Sequence, residues 1–251
     1  MNVVTASGHP RTHLAPAHRR PARRGMHVLL SAQSVIIILV SVNRLSDATT
    51  GFVASNEFLR WVDLNNLILG GASLLVLYLL MRQLEYDSPR RDGTGHRWLG
   101  FVFQLGAYLY SASYGLHEVT NYLNNRFCAA GDTGRQCEII AFNDDEFSHY
   151  LFFVGFMVIN VVVILTQIVF LDDRRPSGVD NALLVLNALF IAAGIVANLG
   201  FEKIGLDLWV VAAVAAFTVV LLVRRPSQPI LRYYGIAYVL GFVGALVAQL
   251  A

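Results

Sequence analysis

Charged residues are scarce in this 251-residue chain. Only 14% of the residues are Asp, Glu, Lys or Arg, against about 25% in an ordinary soluble domain. Hydrophobic residues make up 55% of the chain. A single soluble core of this size would need more polar surface than the sequence carries. The composition therefore excludes a disordered chain and a coiled coil, and it favours a polytopic membrane protein.

Cysteine and lysine are rarer still. The two cysteines, Cys128 and Cys137, are too few for a disulfide-built secreted scaffold, and they form no CxxC motif. Both fall in a loop predicted below to lie outside the cytoplasm, where a disulfide can form. We therefore expect one bridge between them, with two free thiols as the alternative. The single lysine is Lys203, and the net charge of +2 gives no indication of a nucleic-acid partner.

Seven apolar stretches are long enough to cross a bilayer, whose core of about 30 Å needs roughly 20 helical residues. We expect helices, because an open strand in lipid would leave its backbone groups unsatisfied. The sequence predicts an all-α polytopic transmembrane bundle over residues 27–251, preceded by a basic, disordered tail over residues 1–26. The predicted spans are residues 27–43, 62–81, 98–117, 149–171, 181–200, 206–223 and 233–250.

The distribution of Arg and Lys predicts the orientation of these spans. With the N-terminus in the cytoplasm, 14 of the 19 basic residues face the cytoplasm and five face outside. This asymmetry predicts a cytoplasmic N-terminus and an outer C-terminus, in a cytoplasmic membrane of the bacterial type. Eleven of the 17 acidic residues then fall outside. These acids either tolerate translocation without a role or form an outer surface that attracts cations.

Histidines and carboxylates gather at the outer ends of spans three and four. His117 and Glu118 end span three, while Asp145 and Glu146 precede His149 at the start of span four. Consecutive antiparallel helices bring these two ends to the same membrane depth. Because the two acids precede His149 by four and three residues, each shares a helix face with it. We expect one polar site here, whose catalytic groups are His117, His149, Asp145 and Glu146.

The same residue types also bind divalent metals. A carboxylate and an imidazole three or four residues apart can share one ion, and two imidazoles with carboxylates suit Zn, Fe or Mn. The spacing Asp145-x-x-x-His149 is similar to that of a copper site in membrane methane and ammonia monooxygenase subunits, although no third ligand follows at that family's spacing. The predicted ligands are His117, Glu118, Asp145 and His149, with further contributions from Glu57, Asp63 and Asn121.

A structural interpretation of these residues needs no ligand. Asn143 is a good N-cap, and the three acids that follow it would then occupy a first helical turn, where the helix dipole favours anions. His149 would hydrogen-bond to one of these acids. His117 would lie at the membrane interface beside a tyrosine.

Two families of seven-span protein are excluded by residues that the chain lacks. A retinal protein carries a lysine in its last span, whereas Lys203 falls in an outer turn. Intramembrane hydrolases that resemble alkaline ceramidases use a pair of histidines near the C-terminus, and residues 206–251 contain no histidine.

Three functions fit this pattern. The first is a membrane-embedded hydrolase or oxidoreductase that takes a lipid or other apolar substrate from the bilayer. The second is a transporter or channel, which usually needs charged groups near the midplane that spans four to seven lack. The third is a non-catalytic membrane partner or sensor with an acidic outer face. A small-residue face in the last span also predicts close helix packing or an oligomer, through Ala237, Gly241 and Ala245.

Overall fold

A computed structural model describes residues 20–86, 93–128, 134–172, 174–199 and 206–250. The helices are α1 (Arg20–Leu45), α2 (Trp61–Glu85), α3 (Thr94–Phe127), α4 (Arg135–Ala141), α5 (Ser148–Val169), α6 (Gly178–Leu199), α7 (Leu206–Arg224) and α8 (Pro229–Leu250). A π-helical segment, Phe142–Phe147, joins α4 to α5 without a break. In these ranges the one extended pairing is a single bridge between Phe52 and Arg60.

Six helical segments of the described chain are long and apolar enough to cross a membrane, which confirms the predicted multi-pass helical class. Large apolar side chains on several helices point away from the bundle, and Phe101 and Val220 are 60% and 52% exposed. Lipid accepts such surface, whereas a soluble monomer exposes little of it in one patch. The six segments are Arg23–Leu45, Trp61–Glu85, Arg135–Val169, Gly178–Asn198, Leu206–Arg224 and Pro229–Leu250.

Helix α3 is not among these six segments, yet it extends from one end of the bundle to the other. Near its start, His96 Nδ1 lies 3.0 Å from a carboxylate oxygen of Glu85, at the end of α2. Near its end, the side-chain oxygen of Asn121 accepts a hydrogen bond from Arg60, just before α2 begins. Gln104 and several glycine, serine and tyrosine residues interrupt its apolar stretch and lower its mean hydropathy, although the helix is 34 residues long.

Six helices form a ring around a central cavity. Helix α1 packs against α2 and α6, α2 packs against α3, and α3 packs extensively against α5. The ring closes through α8, which contacts both α5 and α6, while α7 packs on the outside against α5 and α8. The cavity is lined by α1, α2, α3, α5, α6 and α8, and α7 contributes nothing to its wall.

The crossing of α3 and α5 depends on two glycines. A Cβ atom at Gly155 would lie 2.5 Å from the backbone nitrogen of Tyr110 and 2.9 Å from the carbonyl oxygen of Gly106. A Cβ at Gly106 would in turn lie 2.8 Å from a methyl group of Val158. Small residues allow helices in lipid to approach this closely. The two helices that carry the histidines are therefore held at near-contact distance.

The small-residue face of the last span packs inside the chain. Ala237 and Ala245 are buried, and a Cβ at Gly241 would lie 2.8 Å from Ile195 of α6. The predicted close helix packing is therefore made with α6 of the same chain. An oligomer would need a different face of α8.

Ion pairs close the end of the bundle that carries Arg23 and Arg174, here called the arginine end. Arg23 lies 2.9 Å from Asp172 and 3.0 Å from Asp180. Burial would raise the pKa of the Asp172 carboxyl, but hydrogen bonds from Arg174 and Arg23 hold that pKa below its ordinary value. These contacts anchor the start of α1, which begins within the tail predicted over residues 1–26, and residues 1–19 lie outside the described ranges.

A disulfide joins the end of α3 to the start of α4. The sulfur atoms of Cys128 and Cys137 lie at bonding distance, 2.04 Å apart, as the sequence predicts for an outer loop. The bridge closes a short loop, so it restrains the local chain more than the whole bundle. It fixes the turn from which the π-helical segment and α5 continue towards the histidines.

Candidate functional site

The two imidazoles predicted to share a site lie side by side at one end of the bundle, here called the histidine end. The ring centroids of His117, on α3, and His149, on α5, are 5.1 Å apart, and the ring planes are inclined at 53°. Both rings line the central cavity. The structure therefore brings together two groups that lie 32 residues apart in the sequence.

Each imidazole is held through its Nδ1 atom. Nδ1 of His117 lies 3.0 Å from Oδ1 of Asp144, and Nδ1 of His149 lies 2.7 Å from the carbonyl oxygen of Asp145. An oxygen acceptor requires an N–H donor, so Nδ1 carries the proton in both neutral rings. Each Nε2 atom then keeps its lone pair. The site thus combines two basic nitrogens whose orientation is set by the protein.

The carboxylate that reaches His117 belongs to Asp144, one residue before the position that helical spacing indicated. The π-helical segment causes this shift, because the N–H of Ser148 donates to the carbonyl of Asn143, five residues back instead of four. The extra residue per turn rotates Asp144 inwards, where it is 1% exposed. Asp145 and Glu146 are exposed. Asn143 donates its side-chain amide to the carbonyl of Ile139 and caps no helix.

Asp144 is held by α3 as well as by its own helix. Its Oδ1 accepts a hydrogen bond from Thr120 at 3.4 Å, and its Oδ2 accepts one from the amide of Asn121 at 3.2 Å. Asn121 in turn accepts a hydrogen bond from Arg60 at 2.8 Å. A buried carboxylate needs such partners, because removing it from water is costly. Asp144 is therefore fixed in the orientation that holds His117.

A second chain of polar groups reaches the site from α1 and α2. The side-chain amide of Asn43 donates to Asn66 at 2.7 Å, and the amide of Asn66 donates to both carboxylate oxygens of Glu118, at 3.1 and 3.2 Å. Glu118 is 5% exposed and lines the cavity beside His117. The predicted ligand Glu118 therefore belongs to the site, although its oxygens are occupied by an amide.

The remaining predicted contributors lie at the same end but make other contacts. Asp63 is ion-paired with Arg60 at 2.7 Å. The carboxylate of Glu57 lies 2.8 Å from Arg126, and its carbonyl accepts a hydrogen bond from Tyr122. These contacts fasten the segment between α1 and α2 onto the last turns of α3. Neither carboxylate has a described contact with an imidazole.

The cavity runs from the imidazoles towards the middle of the bundle. Its volume is about 170 Å³, more than ten times the 10–15 Å³ or so that one water needs. Arg44 and Glu118 flank the histidines at its polar end, and beyond them aromatic and aliphatic side chains such as Phe152 form the wall. Along α5, Asn160 lies eleven positions after His149, a rise of about 16 Å. The cavity is therefore deep and largely apolar.

A metal ion would find two imidazoles here but no complete set of protein ligands. Among the residues that the structure describes, no three His, Cys, Asp or Glu side chains converge closely enough to hold an ion. The nearest carboxylates, Asp144 and Glu118, are already engaged by Nδ1 of His117 and by Asn66. The Zn, Fe, Mn or Cu ion predicted from the sequence therefore lacks a third ligand in this arrangement.

Several site residues carry no strong signal in the sequence. Regular helical spacing does not predict the inward orientation of Asp144, because the π-helical segment departs from that spacing. Arg60 has no feature that distinguishes it from other arginines that precede a span. The amides of Asn43 and Asn66 could have been noticed, because amides in or beside spans pair with other polar groups. The cavity tyrosines, which are Tyr110, Tyr114, Tyr233, Tyr234 and Tyr238, resemble ordinary core aromatics.

The fold and the site together define a multi-pass helical membrane protein with a polar histidine site at one end of a central cavity. No protein-family model matches the chain, and no curated protein or solved structure is significantly similar to it. Functional inference therefore depends on the geometry of the site.

Proposed function

We propose that this protein is a membrane-embedded hydrolase that acts on a lipid or other apolar substrate through paired imidazoles. The observation that carries the proposal is the orientation of His117 and His149. Acceptor oxygens hold both Nδ1 atoms, and both rings border one cavity with their centroids 5.1 Å apart. Two imidazoles so arranged can exchange protons with one substrate near neutral pH.

The two histidines have different partners and so suit different roles. His117 faces a carboxylate, which stabilises the imidazolium that forms when Nε2 removes a proton from an attacking water. His149 is held instead by the uncharged backbone carbonyl of Asp145, so the carboxylate of Asp144 compensates a charge on His117 and not one on His149. His117 therefore acts as the base, and protonated His149 donates its proton to the departing oxygen or nitrogen of an ester or amide.

The wall of the cavity supports an apolar substrate. The histidines lie among aromatic and aliphatic side chains of helices that lipid surrounds. A water-soluble polar substrate would lose its hydration in such a cavity and regain few hydrogen bonds, because most of the wall is apolar. A lipid can place its polar bond at the imidazoles and its chain in the apolar part.

We also propose that the chain makes seven spans, with α3 as the third, a cytoplasmic N-terminus and an outer C-terminus. Helix α3 has 34 residues, a length of about 50 Å that exceeds the bilayer core of about 30 Å. The asymmetry of 14 against five basic residues supports the orientation. The histidine end then faces outwards.

Reporter fusions test this topology in cells of the bacterial type. A periplasm-active reporter fused after Ala251 should be active, and the same reporter inserted beside Gly93 should be inactive. A cytoplasm-active reporter should give the opposite pattern at both positions. A chain with six spans, in which α3 does not cross, would place both positions on the same side and would contradict the proposal.

The hydrolase is tested by incubating purified protein in lipid nanodiscs with a total bacterial lipid extract and following the lipids by mass spectrometry. The wild type should deplete one lipid class and release its hydrolysis product. His117→Gln and His149→Gln should each lower the rate about a hundredfold or more, because each removes a proton-transfer group. His96→Gln, at the arginine end, is the matched control and should retain activity.

Two outcomes would contradict the proposal. One is an unchanged lipid profile with the wild-type protein, and the other is equal rates in the His117→Gln and His96→Gln variants.

A divalent ion held by the two Nε2 atoms is the second candidate, favoured because metal-binding imidazoles are also held through Nδ1. Metal analysis of the same preparations separates the two: bound metal that disappears in His149→Gln would favour the ion.

A further inference from the structure

The part of the cavity remote from the histidines contains polar groups without partners. Tyr233 and Tyr238, both on α8, are 4% and 2% exposed, and both line the cavity. In the part of the chain that the structure describes, neither hydroxyl takes part in a hydrogen bond. By contrast, the hydroxyl of Tyr234 between them donates to Asn160 at 2.9 Å.

A third such group belongs to Gln33 on α1, a helix that packs against α6 as α8 does. Its amide nitrogen donates to Ser73 at 2.7 Å, whereas its side-chain oxygen is buried and has no partner among the described residues. Gln33 also lines the cavity. We call Tyr233, Tyr238 and Gln33 the tyrosine floor.

Groups of this kind are costly inside a membrane protein. A buried hydroxyl or amide oxygen without a hydrogen bond loses the free energy of its hydration, and no water from the lipid core can replace that loss. Buried polar groups in proteins are therefore almost always paired, with protein, water or ligand. Two tyrosine residues whose hydroxyls have no described partner line the cavity, and the buried oxygen of Gln33 also lacks one. Together they indicate that the cavity normally holds a molecule with hydrogen-bonding capacity.

We propose that the tyrosine floor binds a hydroxyl group on the apolar part of the ligand, because a hydroxyl can both donate and accept a hydrogen bond. The inference rests on the proposed function, because it takes the cavity as the substrate site, and it narrows the substrate to a single-chain amphiphile oxygenated far from its polar head. The hydrocarbon chain of the ligand places that oxygen beyond the aromatic wall, at the tyrosine floor. Water alone would meet mainly apolar side chains there, while each buried water needs two to four polar partners.

The length of the cavity determines the chain length of the probe. About 16 Å separates the level of His149 from that of Asn160, a span that suits a chain of medium length. Dodecanoic acid and ω-hydroxydodecanoic acid differ only by the terminal hydroxyl. Their affinities are measured by displacement of an anthroyloxy-labelled fatty acid from the protein in nanodiscs, with empty nanodiscs as the blank.

The hydroxylated probe should bind about fivefold more tightly to the wild type, since one hydrogen bond is worth about 1 kcal/mol and 1.4 kcal/mol is tenfold. The double variant Tyr233→Phe, Tyr238→Phe keeps both rings and should bind the two probes equally. Tyr108→Phe is the matched control, because Tyr108 is 70% exposed on the outside of α3. It should keep the preference.

Two results would overturn the inference. If the wild type binds both probes equally, the floor holds only water. If the preference survives in the double variant, other groups cause it. His117→Gln should keep the preference for the hydroxylated probe, because this measurement involves no turnover. Failure of the hydrolase assay and failure of the probe-binding assay can therefore be told apart.

Discussion

Asp144→Asn is expected to abolish most of the turnover while leaving the shape of the site unchanged. An asparagine can present its NH₂ group to His117, and the ring then carries its proton on Nε2 instead of Nδ1. The base is lost in that form, so the rate should fall about a hundredfold to ten-thousandfold, as is general when a carboxylate that fixes a catalytic imidazole is made neutral. Nitrogen NMR of labelled histidine reports the change of tautomer directly.

The neighbouring acids provide the control. Asp145→Asn and Glu146→Gln remove one negative charge each from the same segment, but these side chains are exposed. Both variants should keep at least half of the wild-type rate and an unchanged tautomer at His117. An Asp145→Asn variant as inactive as Asp144→Asn would show that the helical spacing, and not the π-helical segment, identifies the functional acid.

Gly155→Ala is expected to lower the stability of the bundle more than any other glycine-to-alanine change in α3 or α5. The new methyl group would lie 2.5 Å from the backbone nitrogen of Tyr110, and backbone cannot move aside as a side chain can. Overpacking of this kind costs about 1–3 kcal/mol or more. For a chain of this size that corresponds to a fall in Tm of about 2–12 °C, which thermal unfolding in detergent measures.

Gly115→Ala is the matched control for this change. Gly115 lies on α3 near the histidines, but nothing comes within 4 Å of the position that its new methyl group would take. Alanine favours helix over glycine by about 1 kcal/mol, so this variant should be as stable as the wild type or more so. Equal Tm values for Gly155→Ala and Gly115→Ala would mean that the crossing of α3 and α5 is not tight.

Much of the fold could be predicted because membrane spans depend on composition more than on contacts. Each of the stretches from residues 27–43 to 233–250 lies within a helix of the structure, apart from short segments at the ends of two of them. Span three fell below the hydropathy of the others because Gln104 and several glycine, serine and tyrosine residues interrupt its apolar stretch. A hydropathy threshold therefore excludes it, although its 34 residues exceed the length that a span needs.

The site could be predicted only in part. The antiparallel order of spans three and four placed His117 and His149 at the same depth, but helical periodicity identified Asp145 as the partner acid instead of Asp144. A period of 3.6 residues assumes regular hydrogen bonds from each N–H to the carbonyl four residues back, and the bond from Ser148 to Asn143 breaks that rule. One extra residue in a helical turn changes which side chains face the inside of the bundle. A run of neighbouring acids does not reveal which of them is turned inwards.

The sequence by itself determined the class of the protein, the helices, the cysteine pair and the end of the bundle where its histidines lie. These depend on local properties: apolar length, charge distribution and spacing along the chain. Only the tertiary structure decided that α7 lies outside the ring, that Asp144 faces His117, and that Tyr233, Tyr238 and Gln33 border one cavity. The reason is physical, since the rotation of each helix about its axis is set by packing against its neighbours, through contacts such as Gly155 on Tyr110.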